Sequence, residues 1–588
     1  MPRALAVAGA TALVATAVTV PADAATPTTG SVSSTSPSTQ WTGGPFAVPN
    51  ATATAGALTC GTATPCDDYG LTVDVPGGYD AGNDLKVSVS WPNSAADFDV
   101  YLLDSTGTVV GEAASSADPE TLVVPPIAGR YTVRVVPFNP LGQSYSASAS
   151  LVAKPTGPAP GPTNVASFAN YAAPDSLPQA HNAGEPSIGV DWATGRAMYQ
   201  AYTDTYRVSF DDSTTPATAT WEDRSAGLPN CTAVASLDPI LYTDHATGRT
   251  FETQLAGVGS LTCFTDDDGD TWTPSEGGGV GSGVDHPTVG GGRFSPNGVG
   301  GLGLYPDAVY YCSQSIADAL CSVSRDGGLT FGPAVPMYTL LDCGGLHGHV
   351  KVSPTDGTVY VPNKGCGTHQ AVAVSTDNGT TWQVRTVPTS LPGDSDPSVG
   401  VATDGTVYFG YQNADGHAHV AVSHDQGRTW VNDQDVGVGM GIRNVVFPAV
   451  VAGDAGRAAI AFLGTPTGGN YQDANFAGVW HLYVAVTYDG GQTWSLNDAT
   501  PTDPVQRGSI CTGGTTCGND RNLLDFIDVQ IDKQGRILVG YADGCTGACA
   551  TGGAENYDAL ATIARQSGGN SLFGAYDLKQ SQLGRALT

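Results

Sequence analysis

Seven times in the second two thirds of the chain a polar residue heads a short apolar run, and these heads carry the types that could do chemistry. They are Glu185 before Pro-Ser-Ile, Asp238 before Pro-Ile-Leu, and Asp285-His286 before Pro-Thr-Val. His347-x-His349, Asp396, Arg443-Asn444 and Asp525 head the other four. A buried ring of carboxylates repels itself unless a proton, a cation or a hydrogen-bonded partner relieves it. Three readings stay open. Asp-Pro and Glu-Pro serve as turn devices, the acid bonding to backbone and the proline fixing the chain's entry. Alternatively, two carboxylates among Glu185, Asp238, Asp285, Asp396 and Asp525 act as acid and base on a glycan, with His286 or His349 assisting. In the third, Asp285-His286 and His347-x-His349 offer mixed oxygen and nitrogen ligands to a divalent cation such as calcium. Two residues apart on a strand, His347 and His349 point the same way, as joint ligation requires. Tyr202, His347, His349, Arg443, Asn444 and Arg521 are the candidate substrate-binding residues.

Holding such a set together takes a repeated element, and the sequence contains one. Each head opens a strand that is followed by a turn and a second strand, as in Ala197-Met-Tyr-Gln-Ala201 or Val407-Tyr-Phe-Gly-Tyr411. A second pattern, Ser/Thr-x-Asp-x-Gly-x-Thr-Trp/Phe, occurs five times, beginning at Thr265, Ser324, Ser375, Ser423 and Thr487. It reads as a hairpin turn in which Asp accepts turn hydrogen bonds, Gly supplies a positive φ and the aromatic packs between sheets. Ser209-Phe-Asp211 with Thr220-Trp221 reads as a split copy, and Arg565 to Gly569 as a decayed one. The five motifs resemble the Asp boxes of the bacterial neuraminidase repeat, and the segment resembles the sialidase-like β-propeller superfamily. That resemblance implies a propeller whose Asp boxes join outer strands on the face opposite the active site. With seven heads, the expected fold is all-β: a seven-bladed β-propeller over 166–588.

The front of the chain has a different character. Arg3, the apolar run Ala4 to Val20 and Ala22-Asp-Ala24 read as an export signal over 1–24. Residues 25–51 are rich in Thr, Ser and Pro and read as a linker, and so does the proline-rich 154–165. Between them, 52–153 alternates in strand fashion, as in Leu85-Lys-Val-Ser-Val-Ser-Trp91, and suggests a small β-sandwich preceding the propeller. Asp97-Phe-Asp-Val-Tyr-Leu-Leu-Asp-Ser-Thr-Gly and Ala128-Gly-Arg-Tyr-Thr-Val-Arg-Val resemble the bacterial pre-peptidase C-terminal domain family, which accompanies secreted hydrolases.

Twelve cysteines in an exported chain argue for disulfides, and nearest neighbours give Cys60/Cys66, Cys231/Cys263, Cys312/Cys321, Cys343/Cys366, Cys511/Cys517 and Cys545/Cys549. A formal charge of −31 points away from nucleic acids and anionic membranes. After the leader no apolar run is long enough to span a membrane. True sialidases hold their substrate carboxylate with three arginines, the first in a Phe/Tyr-Arg-Ile-Pro motif that is absent here. The expectation is a secreted, extracellular, monomeric, glycan-active enzyme. It would be a glycoside hydrolase with its site at the channel mouth, needing either no cofactor or a divalent cation. The alternative is a non-catalytic extracellular binding or adhesion protein holding a structural cation. Replacing Glu185 or Asp396 by its amide is expected to damage function and leave thermal stability nearly intact.

Overall fold

The computed structural model describes residues 25–577, apart from 51–59, 62, 82, 94–95, 115–117, 154–164, 229–230, 234, 236, 257–258, 277–284 and 316–317. The expected export signal and the core of the proline-rich linker fall outside the described residues. The structure is all-β, its helical pieces being single 3-10 turns. It divides into two compact units, Met1–Pro162 and Thr163–Thr588.

The first unit holds two sheets around one core. One runs in the order Thr29–Ser33, Asp67–Asp74, Gly129–Asn139, Asp97–Leu103, Val109–Ala113. The other runs Ser38–Gly43, Tyr145–Ala153, Asn83–Ser90, Glu120–Val124. Strict alternation of buried and exposed residues, as along Asp67–Asp74, turns one face of each sheet inward. The segment read as a linker is in part strand, which corrects that expectation. Thr29–Ser33 pairs in parallel with Asp67–Asp74, and Ser38–Gly43 pairs with Tyr145–Ala153. The reason is burial: Ala25, Val32, Trp41 and Phe46 enter the core, and Trp41 stacks on Tyr69 with ring centroids 3.8 Å apart. A Thr-rich composition suits a strand as well as a coil.

The second unit consists of seven antiparallel sheets in chain order. The first is Ser187–Val190, Ala197–Ala201, Asp204–Asp211 and Thr218–Asp223, and the next five repeat that meander. The seventh combines Asp528–Ile531, Ile537–Asp543 and Leu560–Gly568 with a strand from the other end of the unit, Ser167–Ala172. The first strands of successive sheets are neighbours all the way round, and Asp528–Ile531 lies beside Ser187–Val190, so the sheets close a ring. All six expected disulfides are present. Among the described residues no helix is long and apolar enough to cross a membrane.

The five Ser/Thr-x-Asp-x-Gly-x-Thr segments form one hydrogen-bonded turn. At Ser375 the hydroxyl donates to Asp377 (2.9 Å) and accepts the Gly379 N–H (2.9 Å). Asp377 also accepts the Thr381 N–H (2.8 Å) and hydroxyl (2.6 Å). Burial works against these carboxylates, but the donors hold Asp267, Asp326, Asp377 and Asp425 below the ordinary carboxylate range. Gly328 takes φ +86°, and a Cβ there would lie 2.4 Å from the Phe251 ring.

A first strand has a partner on one side only, so its other edge must find acceptors for its N–H groups. Side chains of the preceding sheet supply them. Ser187 Oγ accepts Leu241 N–H (2.8 Å), Thr288 Oγ1 accepts Val350 N–H (3.0 Å), and Ser398 Oγ accepts Val450 N–H (2.9 Å). Asp528 closes the circle by accepting Ile188 N–H at 3.1 Å. Replacing Ser398 by Ala orphans a buried N–H between two sheets. The expected cost is about 1–3 kcal/mol of unfolding free energy, read from urea midpoints of wild type and variant at equal slope.

Candidate functional site

At the strand heads the ring narrows around charged groups. Glu185, Asp238, His286 and Phe447 all precede proline and take φ of 56°, 48°, 47° and 60°. A left-handed non-glycine residue costs about 1–3 kcal/mol and persists where its surroundings hold it. Here the hold is again sheet to sheet: Asp238 N–H donates to Glu185 Oε2 (3.0 Å), and His286 N–H to Asp238 Oδ2 (3.2 Å). The pairing register slips between Asp285 and Thr288, and between Leu237 and Ile240, which turns these side chains toward the axis.

The side chains alternate in charge. Lys364 Nζ lies 3.0 Å from Asp396 Oδ1, and His286 Nδ1 lies 2.9 Å from Asp396 Oδ2. On its other side His286 Nε2 is 3.7 Å from Asp285, whose carboxylate is half exposed. One ligand atom each from Asp238, Asp285 and His286 lie within 4.8 Å of one another. Arg521 forms a two-pronged pair with Asp525 at 2.7 and 2.5 Å. Asp528 accepts Ser187 Oγ (2.9 Å) and Val529 N–H (2.8 Å) besides Ile188. His347 Nδ1 lies 3.0 Å from the Gly348 carbonyl. The partly open space between these groups is only about 20 Å³, walled by Asp238, His286, His347, His349 and Asp396. That is room for one water. A larger substrate must therefore lie across the mouth, against Asp285, Asp525, Arg521 and Lys364.

Environment sorts the acids. Burial, then the charges of Asp238 and Asp525, raise Glu185 well above the carboxylate range. Burial raises Asp238 to about 6, with Asp285 and Asp525 adding to it and His286 opposing. Burial also acts on Asp396, but Lys364 and His286 overcome it and hold that group far below the range. His286 would lose its proton on burial, yet Asp396 and Asp238 raise it well above ordinary histidine. Burial brings His347 and His349 down to about 4.

Of the residues singled out in the sequence, Glu185, Asp238, Asp285, His286, His347, His349, Asp396, Asp525 and Arg521 belong to this neighbourhood. Asn444 does not join it: its amide clamps the carbonyls of Thr467 (2.8 Å) and Gly469 (3.1 Å) in a loop of the sixth sheet. Arg443 packs against Gly468 of that same loop. Tyr202, at φ 53°, occupies the tight turn after Ala197–Ala201 and does not line the cavity. Arg207 is spent on Glu222 and Asp270, each at 3.0 Å. Lys364 escaped the sequence reading. Its one signal is a lone lysine ending the second strand of a repeat in a strongly acidic chain.

No protein-family model matches the chain, and no curated protein matches it. Solved structures do, at low identity. A leech intramolecular trans-sialidase is 12% identical over 83% of this chain and 93% of its own, with a TM-score of 0.33. An ulvan lyase of a polysaccharide lyase family is 14% identical over 72% and 99%, with a TM-score of 0.38. A lectin of Aleuria aurantia is 12% identical over 54% and 96%, with a TM-score of 0.34. With scores this low, the ring and its charged mouth rest on strand order and contacts alone.

Two outcomes follow. Asp396 serves two cations, so Asp396→Asn strands both. The expected loss is about 3 kcal/mol or more, against the sequence-based expectation of a thermally silent change. Melting curves of the purified variant measure it. Asp238 is raised from 3.8 to about 6. The stability it contributes is therefore fully present below about pH 4 and lost as pH rises through about 6. Asp238→Asn removes that dependence, so the variant gains on wild type in melting temperature between pH 4 and 7.

Proposed function

We propose that this chain is a secreted, extracellular, glycan-active hydrolase, monomeric, with an export signal over 1–24. In this reading the seven-sheet ring is a seven-bladed Asp-box β-propeller, and the two sheets of the first unit form a β-sandwich of pre-peptidase C-terminal type. The observation that carries the function is the Asp238–Asp285 couple. Their oxygens approach within 4.8 Å, one group is deep and the other half exposed, and Asp238 is held at about 6. Unlike environments for neighbouring carboxyls are how acid and base roles are divided.

Asp238 then gives its proton, relayed through the one water its cavity has room for, to the glycosidic oxygen as the bond to the anomeric carbon breaks, and Asp285 attacks that carbon. Water next resolves the glycosyl-enzyme with Asp238 taking the proton back. An approach of their oxygens within 4.8 Å favours this retaining course, because an inverting one needs about 6.5–9.5 Å between its carboxyl groups to seat the water. His286 fixes Asp238 through its backbone N–H and Asp396 through its ring. Sialic acid is a poor substrate in this reading. Arg207 and Arg521 are bound to carboxylates, Arg443 belongs to another loop, and the mouth is acidic.

The second reading is a binding protein with a divalent cation on Asp238, Asp285 and His286, favoured by the convergence of those three donors. One experiment separates the two. Wild type, Asp285→Asn and Asp238→Asn are assayed for reducing sugar released from mixed polysaccharides, and melted with and without EDTA. The hydrolase reading expects release to fall by about 10²–10⁴-fold in both variants, with melting indifferent to EDTA. No release from wild type together with an EDTA-sensitive melting temperature establishes the binding protein instead.

A further inference from the structure

The larger cavity of the ring lies away from the strand heads. About 380 Å³ in volume, it is walled by the later residues of the first strands. His349 and Asp528 border both this chamber and the small cavity, so they form the partition between them. Phe526 stands edge-on to His349 at 4.8 Å. Past the partition the walls are mostly apolar, with Val352, Val401 and Val451 each partly open to the space. Trp192 and Phe573 border the chamber beyond the strand ends, 5.5 Å apart and edge to face, and Trp192 stacks on His245 at 4.0 Å.

The charges around this chamber are unequally satisfied. Asp528 has three donors of its own: Ser187 Oγ, Ile188 N–H and Val529 N–H. Asp244 accepts the Tyr305 hydroxyl at 2.5 Å and Ala246 N–H at 2.8 Å, and shares a hydrogen bond with Asp307. Arg293 donates to the Thr355 carbonyl at 2.7 Å. Lys351 differs. It follows His349 by two positions and so faces the same way, and it borders the chamber. Among the described residues no hydrogen bond or ion pair engages its ammonium. A mostly apolar pocket of several hundred Å³ with one ammonium that no acceptor engages has the make-up of a site for an amphiphile.

We infer that this chamber binds a small aliphatic monocarboxylate, its chain along the valine walls and its carboxylate on Lys351. The site is separate from the proposed hydrolytic mouth and stands or falls independently of it. Titration calorimetry on the full chain with octanoate, and with octanol as the uncharged counterpart, tests it. Wild type is expected to bind octanoate saturably and more tightly than octanol. Lys351→Met keeps the shape and removes the charge. It should weaken octanoate by about ten- to a hundredfold and leave octanol unchanged. Val401→Phe, checked for an unaltered melting temperature, should abolish both by filling the space. Absence of saturable octanoate binding at millimolar concentration overturns the inference, as does octanoate affinity indifferent to Lys351→Met.

Discussion

The ring depends on how the first strand of each sheet satisfies the N–H groups that no neighbouring strand can take. Neighbouring sheets meet by backbone at few points, such as Glu276 with Thr330, and their first strands do not pair with one another. Ser187, Thr288, Ser398 and Asp528 solve this with side chains that reach into the next sheet, and Glu185 and Asp238 do the same one step nearer the mouth. Hydroxyls and carboxylates both serve: at the heads Glu185 and Asp238 take the N–H groups of Asp238 and His286, and Ser395 Oγ takes that of Phe447 at 3.2 Å. The turn-device reading of the acidic heads and the functional one are therefore not rivals: the bond that seats the acid also aims it.

Crowding acids around an axis sets an electrostatic problem, and each acid is relieved by different means. Burial and the neighbouring acids push Glu185 well above the carboxylate range, Asp396 is flanked by Lys364 and His286, Asp525 is gripped by Arg521, and Asp528 is saturated with N–H and hydroxyl donors. Asp238 is the exception. Burial raises it, His286 lowers it, and it settles near neutrality's acid side. A group balanced that way changes charge for little free energy, which is what proton transfer requires.

Much of this was legible in the sequence, and the limits are physical. Turns carry their own chemistry within eight residues, so the Ser375–Trp382 pattern announced its hydrogen bonds in full. The strand heads were legible because proline and acid recur together, and the cysteines because their partners are near in sequence. Ser38–Gly43 was hidden by composition: one buried tryptophan, Trp41, decides a segment that otherwise reads as coil. Ser167–Ala172 was hidden by distance, since its partner is at the far end of the unit. The role of Lys364 depends on Asp396, a residue of the next sheet, and no local pattern couples the two. Asn444 and Arg443 contact a loop of the sixth sheet, a role that a polar pair at a strand head fills as readily as ligand binding.

The seam in the seventh sheet sets the order in which this protein can be made. Ser167 and Ser567, joined hydroxyl to hydroxyl there, are 400 residues apart. Closing so long a loop costs about 5 kcal/mol in chain entropy, and it must await the last strands to leave the ribosome. Until then the growing chain is an open arc with two raw edges, each able to recruit a strand from another molecule. The half-made protein is thus the form most exposed to aggregation and to proteases.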